Sequence, residues 1–423
     1  MKYQKYPVYK DSGVEWIGEI PERWKLTKFK RVAKTEKGKL NSTLVYGPLL
    51  ENYIPYLSME YLRSGVDPIQ WVPKDDTSVI ANKGDILLLW DGSNAGEFLN
   101  AKYGAVSSTI ALVKLKNINR GFFFYWCKII ESQIQELTVG MGIPHVDGNI
   151  LKDFITILPS IDEQYILSNF LDSQTSKIDS LISNLQKMIE LLKEKRQALI
   201  THAVTKGLDP NVPTKDSGVE WIGEIPEHWK LVRLKRLVNL ATKSTKNNGT
   251  KVALENIESW TGKYVRTLSE YDSEGIAFEK GDILFGKLRP YLAKVYLTDF
   301  DGEAVGDFYV LRISSNVDDM FLFQLLATRE FISIVDSSTY GTKMPRVNWD
   351  FMGNLKVPIP ALREQSNIGS FIVKIVNKTD ILVSNLKKMI ELLKEYRSTL
   401  ISAAVTGKID VRNLKNNDFP ESE

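Results

Sequence analysis

Residues 183–194 read SNLQKMIELLKE, and residues 384–395 read SNLKKMIELLKE. The two segments differ at one position of twelve and begin 201 residues apart. This spacing is too long for a solenoid, whose units recur every ~20 to 50 residues. The chain is therefore predicted to consist of two domain-sized halves that share one structural segment.

The apolar residues around this segment recur in steps of three and four, which is the spacing of a coiled-coil seam. One interpretation is that each helix packs only on its own domain. The narrow stripe favours instead pairing of the two copies about a pseudo-two-fold axis, which makes the helices antiparallel. The predicted seam residues are Ile178, Leu181, Leu185, Met188, Leu192 and Leu199 in the first copy, and Leu382, Leu386, Met389, Leu393, Tyr396 and Leu400 in the second.

Length and composition are those of an ordinary globular protein. The chain has 423 residues, 43% of them hydrophobic and 25% charged, which suggests two or three domains. A net charge of +3 permits a polyanionic partner without requiring one. The single cysteine, Cys127, excludes a disulfide framework and a cysteine metal cluster. The polar N-terminus and the lack of a long apolar run predict a cytoplasmic protein without export signal or membrane anchor.

A second repeat precedes the body of each half. Residues 10–26 read KDSGVEWIGEIPERWKL, and residues 215–231 repeat them with His228 in place of Arg23. Proline, glycine and alternating charge predict an extended arm rather than a helix or a strand. Trp16 and Trp24 are too apolar for a free linker, so we expect the arm to lie along its own domain with the tryptophans as anchors.

The body of the first half has mixed patterns. Strands are predicted at 85–90 and 110–115, with a turn at 91–94 and a helix near 122–137. A glycine-rich loop at 138–146 ends the body. A long helix follows to about Val204, with a break or kink expected near Asp172. Short strands without βα alternation indicate the α+β class.

The second half repeats this plan, but its body has diverged from the first. The predicted fold is α+β, with two tandem mixed α/β domains separated by two long helices that form an antiparallel, pseudo-two-fold coiled coil. The predicted segments are an arm (1–23), a globular domain (24–158), a helical spacer (159–209), an arm or linker (210–228), a second globular domain (229–359), a second helical spacer (360–412) and a disordered tail (413–423).

Catalytic signatures are absent from the sequence. It contains no HExxH, paired CxxC, GxSxG or glycine-rich dinucleotide motif, and three histidines make a metal centre improbable. Residues 281–287, GDILFGK, match the first part of a phosphate-binding P-loop. However, Leu288 stands where the Mg²⁺-binding hydroxyl belongs, and Arg289-Pro290 follows where a helix should start. We expect no catalytic residue and no metal site.

Three repeated motifs carry a family resemblance. The arm KDSGVEWIGEIPExW, a Gly-x-x-x-Pro-x-Val loop leading to Pro-x-x-x-Glu-Gln, and a long helix ending in AVTKG or AVTGK resemble the specificity (S) subunit of type I restriction-modification enzymes. The resemblance covers nearly the whole chain, in order, in both halves. It implies two target recognition domains, each reading one half of a split double-stranded DNA sequence.

The resemblance also implies partners. In that family the paired helices space the two domains and dock two methyltransferase (M) subunits, and restriction (R) subunits join to cleave DNA. The S subunit carries no catalytic residues. S-adenosylmethionine, ATP and Mg²⁺ are therefore expected on the partner subunits, with no cofactor bound by this chain.

Candidate DNA contacts follow from side-chain chemistry. Phosphates are bound by surface Lys and Arg, guanine is read by Arg or Lys, and adenine by Asn or Gln. An ordinary surface charge is the alternative for each residue. The second domain offers Lys287, Arg289, Tyr291, Lys343 and Arg346. The first has Trp90-Asp91-Gly92 where the second has Lys287-Leu288-Arg289, so its candidates are Ser93, Asn94, Lys102 and His145. Phosphate-facing candidates are Lys28, Lys30, Arg31, Arg233, Lys235 and Arg236.

Three functions remain open from the sequence. The first is a DNA-recognition subunit without catalysis, the second a coiled-coil scaffold that binds only protein partners, and the third an enzyme with an unrecognised site. A helix of about 32 residues is ~48 Å long. It can therefore hold two readers about one turn of DNA apart, or ~34 Å.

Overall fold

The computed structural model describes residues 3–39, 44–48, 51–63, 67–74, 78–140, 142–245, 249–267, 271, 274–341 and 343–412. The tail predicted to be disordered, 413–423, lies outside the described residues. The chain divides into unit 1, comprising Met1–Asn184 and Met389–Glu423, and unit 2, comprising Leu185–Lys388. Both boundaries fall within long helices, so each unit contains one globular domain and a part of each helix.

Unit 1 combines helices with short, mostly antiparallel strands, which confirms the α+β class. The strands are β1 (Tyr9–Asp11), β2 (Glu19–Pro21), β3 (Lys25–Lys28), β4 (Ala33–Lys37), β5 (Val45–Tyr46), β6 (Tyr53–Leu57), β7 (Gln70–Pro73), β8 (Ile80–Ala81), β9 (Ile86–Leu89), β10 (Phe98–Asn100), β11 (Gly104–Val106), β12 (Ile110–Leu115) and β13 (Ile155–Leu158). The helices are α1 (Phe29–Val32), α2 (Met59–Arg63), α3 (Arg120–Glu136), α4 (Gly148–Asp153) and the first part of α5 (Ile161–Lys206).

Unit 2 has a similar order of elements, although three described helices lie between its last two strands where unit 1 has two. Its strands are β14 (Thr214–Asp216), β15 (Glu224–Pro226), β16 (Lys230–Arg233), β17 (Val238–Ala241), β18 (Ser244–Thr245), β19 (Lys251–Val252), β20 (Gly275–Phe278), β21 (Ile283–Gly286), β22 (Val295–Leu297), β23 (Gly302–Ala304), β24 (Phe308–Ile313) and β25 (Lys356–Ile359). Its helices are α6 (Asp319–Leu326), α7 (Arg329–Ser337), α8 (Trp349–Met352) and the first part of α9 (Leu362–Val405), and 3-10 turns lie at Leu234–Arg236, Leu254–Asn256 and Pro290–Leu292.

The same antiparallel sheet forms the centre of each globular domain. Its order is β10-β9-β12-β4 in unit 1 and β17-β24-β21-β22 in unit 2, which is the same sheet listed from the opposite edge. The strands β9 and β21 are buried at every position because the sheet is covered on both faces. A separate ladder, β3 with β13 and β16 with β25, joins the start of each domain to its end.

The repeated arms contain strands, so the expectation of strand-free arms is wrong. The pairs β1–β2 and β14–β15 are short antiparallel hairpins, closed by hydrogen bonds such as Ser12 N to Gly18 O at 3.0 Å. Glycine at position 18 allows the positive φ of +66° that this turn requires. Trp24 and its equivalent Trp229 are buried in the two domain cores, which confirms Trp24 as an anchor. Trp16 is 38% exposed and stacks on Trp126.

The long helices α5 and α9 are continuous. The helix does not break near Asp172, so the expectation of a break there is wrong. Two polar residues there, Asp172 and Thr175, are hydrogen-bonded to Tyr125 of the globular domain. Asp172 Oδ1 accepts a hydrogen bond from Tyr125 Oη at 2.8 Å. The Thr175 hydroxyl donates to the Leu171 carbonyl one turn earlier, at 2.7 Å. Of the helices that the structure describes, none is both long and apolar enough to cross a membrane.

Within each unit, a part of α5 lies antiparallel to a part of α9. In unit 1, Glu163 at the start of α5 lies 3.9 Å from Arg412, beyond the end of α9. Further along α5, Asp179 pairs at 2.9 Å with Arg397, which precedes the end of α9. In unit 2, Arg196 pairs with Asp380 at 2.9 Å. Residue numbers rise along α5 while those of the paired residues on α9 fall, which confirms the antiparallel pairing.

The buried stripe of these helices differs in phase from the predicted seam. Ile178, Leu185 and Leu400 are buried, and Leu192, Leu199, Leu386 and Leu393 are half-buried, as expected. The prediction is wrong at Leu181, Met188, Leu382, Met389 and Tyr396, which are exposed. Their neighbours in sequence take the inner positions: Ile182, Ile189, Val383, Ile390 and Arg397. Where two apolar residues are adjacent in sequence, either of them continues the three- and four-residue spacing, so the spacing alone does not show which one is buried.

Candidate nucleic-acid interface

In unit 2, the turn after β21 and the loop before α8 form one surface, which we call the edge of unit 2 (residues 287–292, 340, 341 and 343–347). It contains the five candidates predicted in this domain. Four backbone hydrogen bonds fix it: Arg346 N to Tyr340 O and Tyr340 N to Arg346 O, both 3.1 Å, Arg289 N to Pro345 O at 2.8 Å, and Val347 N to Lys287 O at 3.0 Å. The positions of these side chains are therefore set by a closed backbone network.

Unit 1 has an equivalent surface, the edge of unit 1 (residues 90–96, 139, 140 and 142–146). The corresponding hydrogen bonds are His145 N to Val139 O at 2.8 Å, Val139 N to His145 O at 3.0 Å, Gly92 N to Pro144 O at 2.9 Å, and Val146 N to Trp90 O at 2.9 Å. The match equates Trp90-Asp91-Gly92 with Lys287-Leu288-Arg289, as the sequence alignment predicts. It also equates His145 with Arg346.

The turn of unit 2 is conformationally strained. Arg289 and Ala293 both have positive φ, at 50° and 47°. Trp260, with φ of 65°, donates its backbone N–H to Ala293 O at 3.2 Å. Non-glycine residues in this region cost about 1 to 3 kcal/mol each and concentrate at functional sites. In unit 1, Gly92 occupies the position of Arg289 with φ of 109°, so no side chain is strained there.

In unit 2 the cationic side chains of the edge are bound by Asp307, a residue that the sequence pattern did not predict. Asp307 Oδ1 and Oδ2 accept hydrogen bonds from Arg346 Nε and Nη2 at 3.1 and 3.0 Å. Lys287 Nζ lies 3.9 Å from the same carboxylate. The hydrogen bond to Asp307 raises the pKa of the Arg346 guanidinium above its ordinary value. Asp307 reaches this place because Phe308 pairs with Gly286, so the residue before β24 lies beside the turn after β21.

The equivalent place in unit 1 has different chemistry. Thr109 stands where Asp307 stands, since its carbonyl accepts from Trp90 N at 2.8 Å as that of Asp307 accepts from Lys287 N at 2.9 Å. The acidic residue is Asp91, which pairs with Lys37 at 2.6 Å. His145 is exposed, as are Ser93 and Asn94 in the adjoining turn. The edge of unit 1 thus offers small polar groups and an imidazole instead of a cationic cluster.

The structure separates Lys102 from the other candidates of unit 1. Its neighbour Ala101 pairs with Gly84 and Asp85 before β9 begins, whereas the edge lies beyond the end of that strand. Lys102 Nζ donates to Tyr61 O at 2.5 Å and lies 4.1 Å above the Tyr61 ring. These contacts hold it on its own domain, away from Ser93, Asn94 and His145.

The phosphate-facing candidates form one basic cluster in each unit. In unit 1, Lys28 and Lys30 pair with Asp153 at 3.2 and 2.7 Å, and Arg31 is exposed. Hydrogen bonds from Lys30 and Lys28 lower the pKa of Asp153. The cluster of unit 2, Arg233, Lys235 and Arg236, is exposed.

Backbone hydrogen bonds align the two basic clusters. Phe29 N donates to Phe154 O at 2.8 Å, and Leu234 N donates to Leu355 O at 2.9 Å. Asn354 therefore occupies the position of Asp153 and offers no carboxylate. Lysine and arginine in such exposed groups suit phosphate contact, while the fixed edges suit contact with base edges.

The chain matches one known family over most of its length. A sequence model described as "Type I restriction modification DNA specificity domain" matches residues 21–191 and again 226–392. The two matched segments contain the two edges and both basic clusters. The internal duplication seen in the structure is therefore also a duplication of the family's domain.

Full-length relatives show the same similarity. The type I restriction enzyme MjaVIII specificity subunit of Methanocaldococcus jannaschii is 32% identical, covering 93% of this chain and 95% of that protein. The EcoDI specificity subunit of Escherichia coli is 24% identical, with 96% and 93% covered.

Solved structures share the fold. A chain from a study of complex assembly and conformational transition of the type I R-M system covers 91% of this chain and 98% of its own length, with a TM-score of 0.63 and 13% identity. The HsdS subunit from Thermoanaerobacter tengcongensis covers 92% and 98%, with a TM-score of 0.53 and 13% identity. At these identities the likeness concerns the fold alone.

Proposed function

Because this chain belongs to the type I restriction-modification DNA specificity family, we propose that the two edges each read one half of a split DNA sequence. The family's role is DNA recognition within a restriction-modification complex. The observation that carries the proposal is the repeated edge: two equivalent backbone networks present His145 in one unit and Arg346 in the other. A target with unlike halves requires such unlike readers on a common support.

Catalysis is assigned to the partners. Recognition needs oriented donors and acceptors, which the two edges supply. Methyl transfer belongs to the M subunits and cleavage to the R subunits. S-adenosylmethionine, ATP and Mg²⁺ accordingly belong to those subunits, and this chain contributes binding free energy and the choice of sequence.

The long helices provide the surface for the methyltransferase subunits. Beside the buried stripe, each helix exposes apolar residues at spacings of seven and three, with a further spacing of four on α9, which places them on one helical face. Apolar groups exposed in a row are typical of protein-binding surfaces. This docking stripe consists of Leu181, Met188 and Leu191 on α5, and Leu382, Met389, Leu392 and Tyr396 on α9. Its occurrence in both repeats supports two M subunits.

The recognition function is tested by mapping the methylated bases in DNA from cells that express this chain with its M subunit. We expect a motif of two specified segments separated by a fixed number of unspecified base pairs. Purified complex should bind that motif more tightly than random DNA, with affinity that falls as salt rises. A continuous motif, or sequence-independent binding, would contradict the proposal and favour a scaffold that binds only proteins.

Two neighbouring leucines test the docking stripe. Leu181→Asp, on the exposed face, should leave the melting temperature of the chain unchanged but abolish co-purification with the M subunit. Leu185→Asp places an unpaired charge at a buried position and should destabilise the chain by about 3 kcal/mol or more. Normal M binding by a folded Leu181→Asp chain would place docking elsewhere.

The spacer function is tested by length. The helix α5 has 46 residues, so it spans about 69 Å at the standard rise of ~1.5 Å per residue. Four residues inserted into it lengthen it by about one turn. The variant should methylate a motif with the same two specified segments and a changed number of unspecified base pairs between them. An unchanged motif would show that the helices do not set the spacing.

A further inference from the structure

We propose that Asp307 is a positioning residue that orients Arg346 to read a guanine in the half-site recognised by unit 2. The inference rests on the proposed function and adds to it one base of the target and a second residue that selects this base. It comes from the geometry of the pair rather than from the charge of the edge.

The geometry leaves one side of the guanidinium available. Asp307 takes Nε and one hydrogen of Nη2. The second hydrogen of Nη2 and one hydrogen of Nη1 point along a second edge of the same plane. Within the described part of the chain, no hydrogen bond uses Nη1 of Arg346, and the side chain is 40% exposed. Two parallel N–H donors thus remain free and coplanar.

Guanine is the base that fits this pair of donors. In the major groove it presents two acceptors, O6 and N7, whereas adenine pairs its N7 acceptor with an amino donor. Cytosine presents a donor, and thymine a single acceptor beside a methyl group. An arginine whose plane is fixed discriminates among these patterns without first losing side-chain freedom.

Phosphate contact would require a different arrangement. A phosphate is attracted by net positive charge, and a carboxylate bound to the arginine reduces that charge. Asp307 therefore weakens Arg346 as a phosphate ligand while fixing its plane. Lys287, 3.9 Å from Asp307, keeps the local group of three side chains at a net positive charge. The Lys287 ammonium group can therefore bind a phosphate of the DNA backbone beside that base.

Both ends of Arg346 are held. Its backbone exchanges two hydrogen bonds with Tyr340, and its head is bound by Asp307. The position of Asp307 is in turn fixed by the sheet, because Asp307 O accepts a hydrogen bond from Lys287 N at 2.9 Å. In unit 1, Thr109 stands at the position of Asp307 and His145 at that of Arg346, so the inference is confined to unit 2.

A second Asp–Arg pair in unit 2 serves as the matched control. Asp282 accepts from Arg312 Nε and Nη2 at 3.2 and 3.0 Å, which is the same two-point geometry. Asp282 precedes β21, whereas the Asp307 pair lies beyond the end of that strand. Asp282→Asn therefore removes an equivalent ion pair away from the edge.

The test uses the complete methyltransferase complex and its mapped motif. Each guanine of the unit 2 half-site is replaced in turn by 7-deazaguanine, which lacks the N7 acceptor. We expect one position at which the methylation rate of the original complex falls about tenfold or more. Arg346→Ala and Asp307→Asn should both lose this sensitivity at that position and keep it elsewhere. Asp282→Asn should retain the sensitivity.

Three results would overturn the inference. One is a half-site without guanine, and another is a motif whose guanines all tolerate 7-deazaguanine. The third is an Asp307→Asn complex that loses rate equally on every sequence. The first two use unmodified protein, so they do not depend on a variant that folds. Failure of the proposed function would instead appear earlier, as the lack of any split motif.

Discussion

The edges of the two units have the same backbone and different chemistry. Four hydrogen bonds recur at equivalent positions, with lengths of 2.8 to 3.0 Å in unit 1 and 2.8 to 3.1 Å in unit 2. On this support, unit 1 presents Trp90, Asp91 and His145, and unit 2 presents Lys287 and Arg346. Because main-chain groups alone make the network, side chains can change without altering it. Recognition can therefore diverge while the domain stays folded.

The electrostatics of the two units also differ. In unit 1 the acidic residues Asp91 and Asp153 pair with lysines of the same unit. In unit 2, Asp307 forms ion pairs with both Lys287 and Arg346. Asn354, beside the basic cluster, stands at the position that Asp153 has in unit 1. We therefore expect unit 2 to supply more of the salt-dependent affinity for DNA.

The largest expected effect comes from breaking one backbone network. A Cβ at Gly140, where φ is 122°, would lie 2.6 Å from Ile143 O and 3.0 Å from His145 Nδ1. At Gly341, where φ is 93°, the nearest contact would be Met344 O at 3.3 Å. Gly140→Ala should cost about 3 kcal/mol in forming its edge, and Gly341→Ala about 1 kcal/mol.

Methylation of DNA carrying substitutions in one half-site measures this difference. Gly140→Ala should remove discrimination in the half-site of unit 1 and preserve it in that of unit 2. Gly341→Ala is the control, with a smaller loss confined to the other half-site. If both variants discriminated as well as the original complex, the backbone network would not be the support that we infer.

A smaller effect is expected from the two buried arm tryptophans. Trp229 Nε1 donates to Glu364 Oε1 at 3.0 Å. Trp24 Nε1 is buried without a partner in the described part of the chain, because the equivalent Glu163 accepts from Tyr6 Oη at 2.7 Å. Replacement by phenylalanine removes similar volume at both sites but breaks a hydrogen bond to the half-buried Glu364 carboxylate only in unit 2.

Trp229→Phe should therefore lower the free energy of unfolding by about 1 to 2 kcal/mol more than Trp24→Phe. Urea titration of the full chain followed by circular dichroism gives the comparison. Equal losses would mean that the hydrogen bond to Glu364 contributes nothing measurable, and the two arms would then be energetically equivalent.

The sequence predicted most of the support of the site. Repeats indicated the duplication, and the apolar runs located β9, β12 and α3. The alignment of Trp90-Asp91-Gly92 with Lys287-Leu288-Arg289 agrees with the hydrogen-bond register. These features depend on local pattern, on glycine turns and on copied segments, which sequence records directly.

Features that depend on partners distant in the chain were missed. Asp307 follows Lys287 by 20 residues and precedes Arg346 by 39. The pairing of Phe308 with Gly286 brings Asp307 beside Lys287, and the hydrogen bond from Val347 N to Lys287 O brings Arg346 there. A signal was available, since the residue before one antiparallel strand lies beside the residue after its neighbour. The seam phase was undetermined because Leu181 and Ile182 are adjacent apolar residues, as are Met188 and Ile189.

The smallest expected effect concerns the basic clusters. Asp153 is exposed, and hydrogen bonds from Lys30 and Lys28 lower its pKa, so it is charged at neutral pH. Asp153→Asn should therefore free two lysines of unit 1 for phosphate. Asn354→Asp should do the reverse in unit 2, where Arg233 and Lys235 occupy the equivalent positions.

A cation that meets a phosphate releases bound counterions, so each contact changes the slope of log affinity against log salt by about 0.9. We expect a steeper slope for Asp153→Asn and a shallower one for Asn354→Asp, measured by DNA binding of the full complex at several salt concentrations. The methylated motif should stay the same in both variants because phosphates carry no sequence information. Unchanged slopes would place both clusters away from DNA, whereas a changed motif would make them base readers.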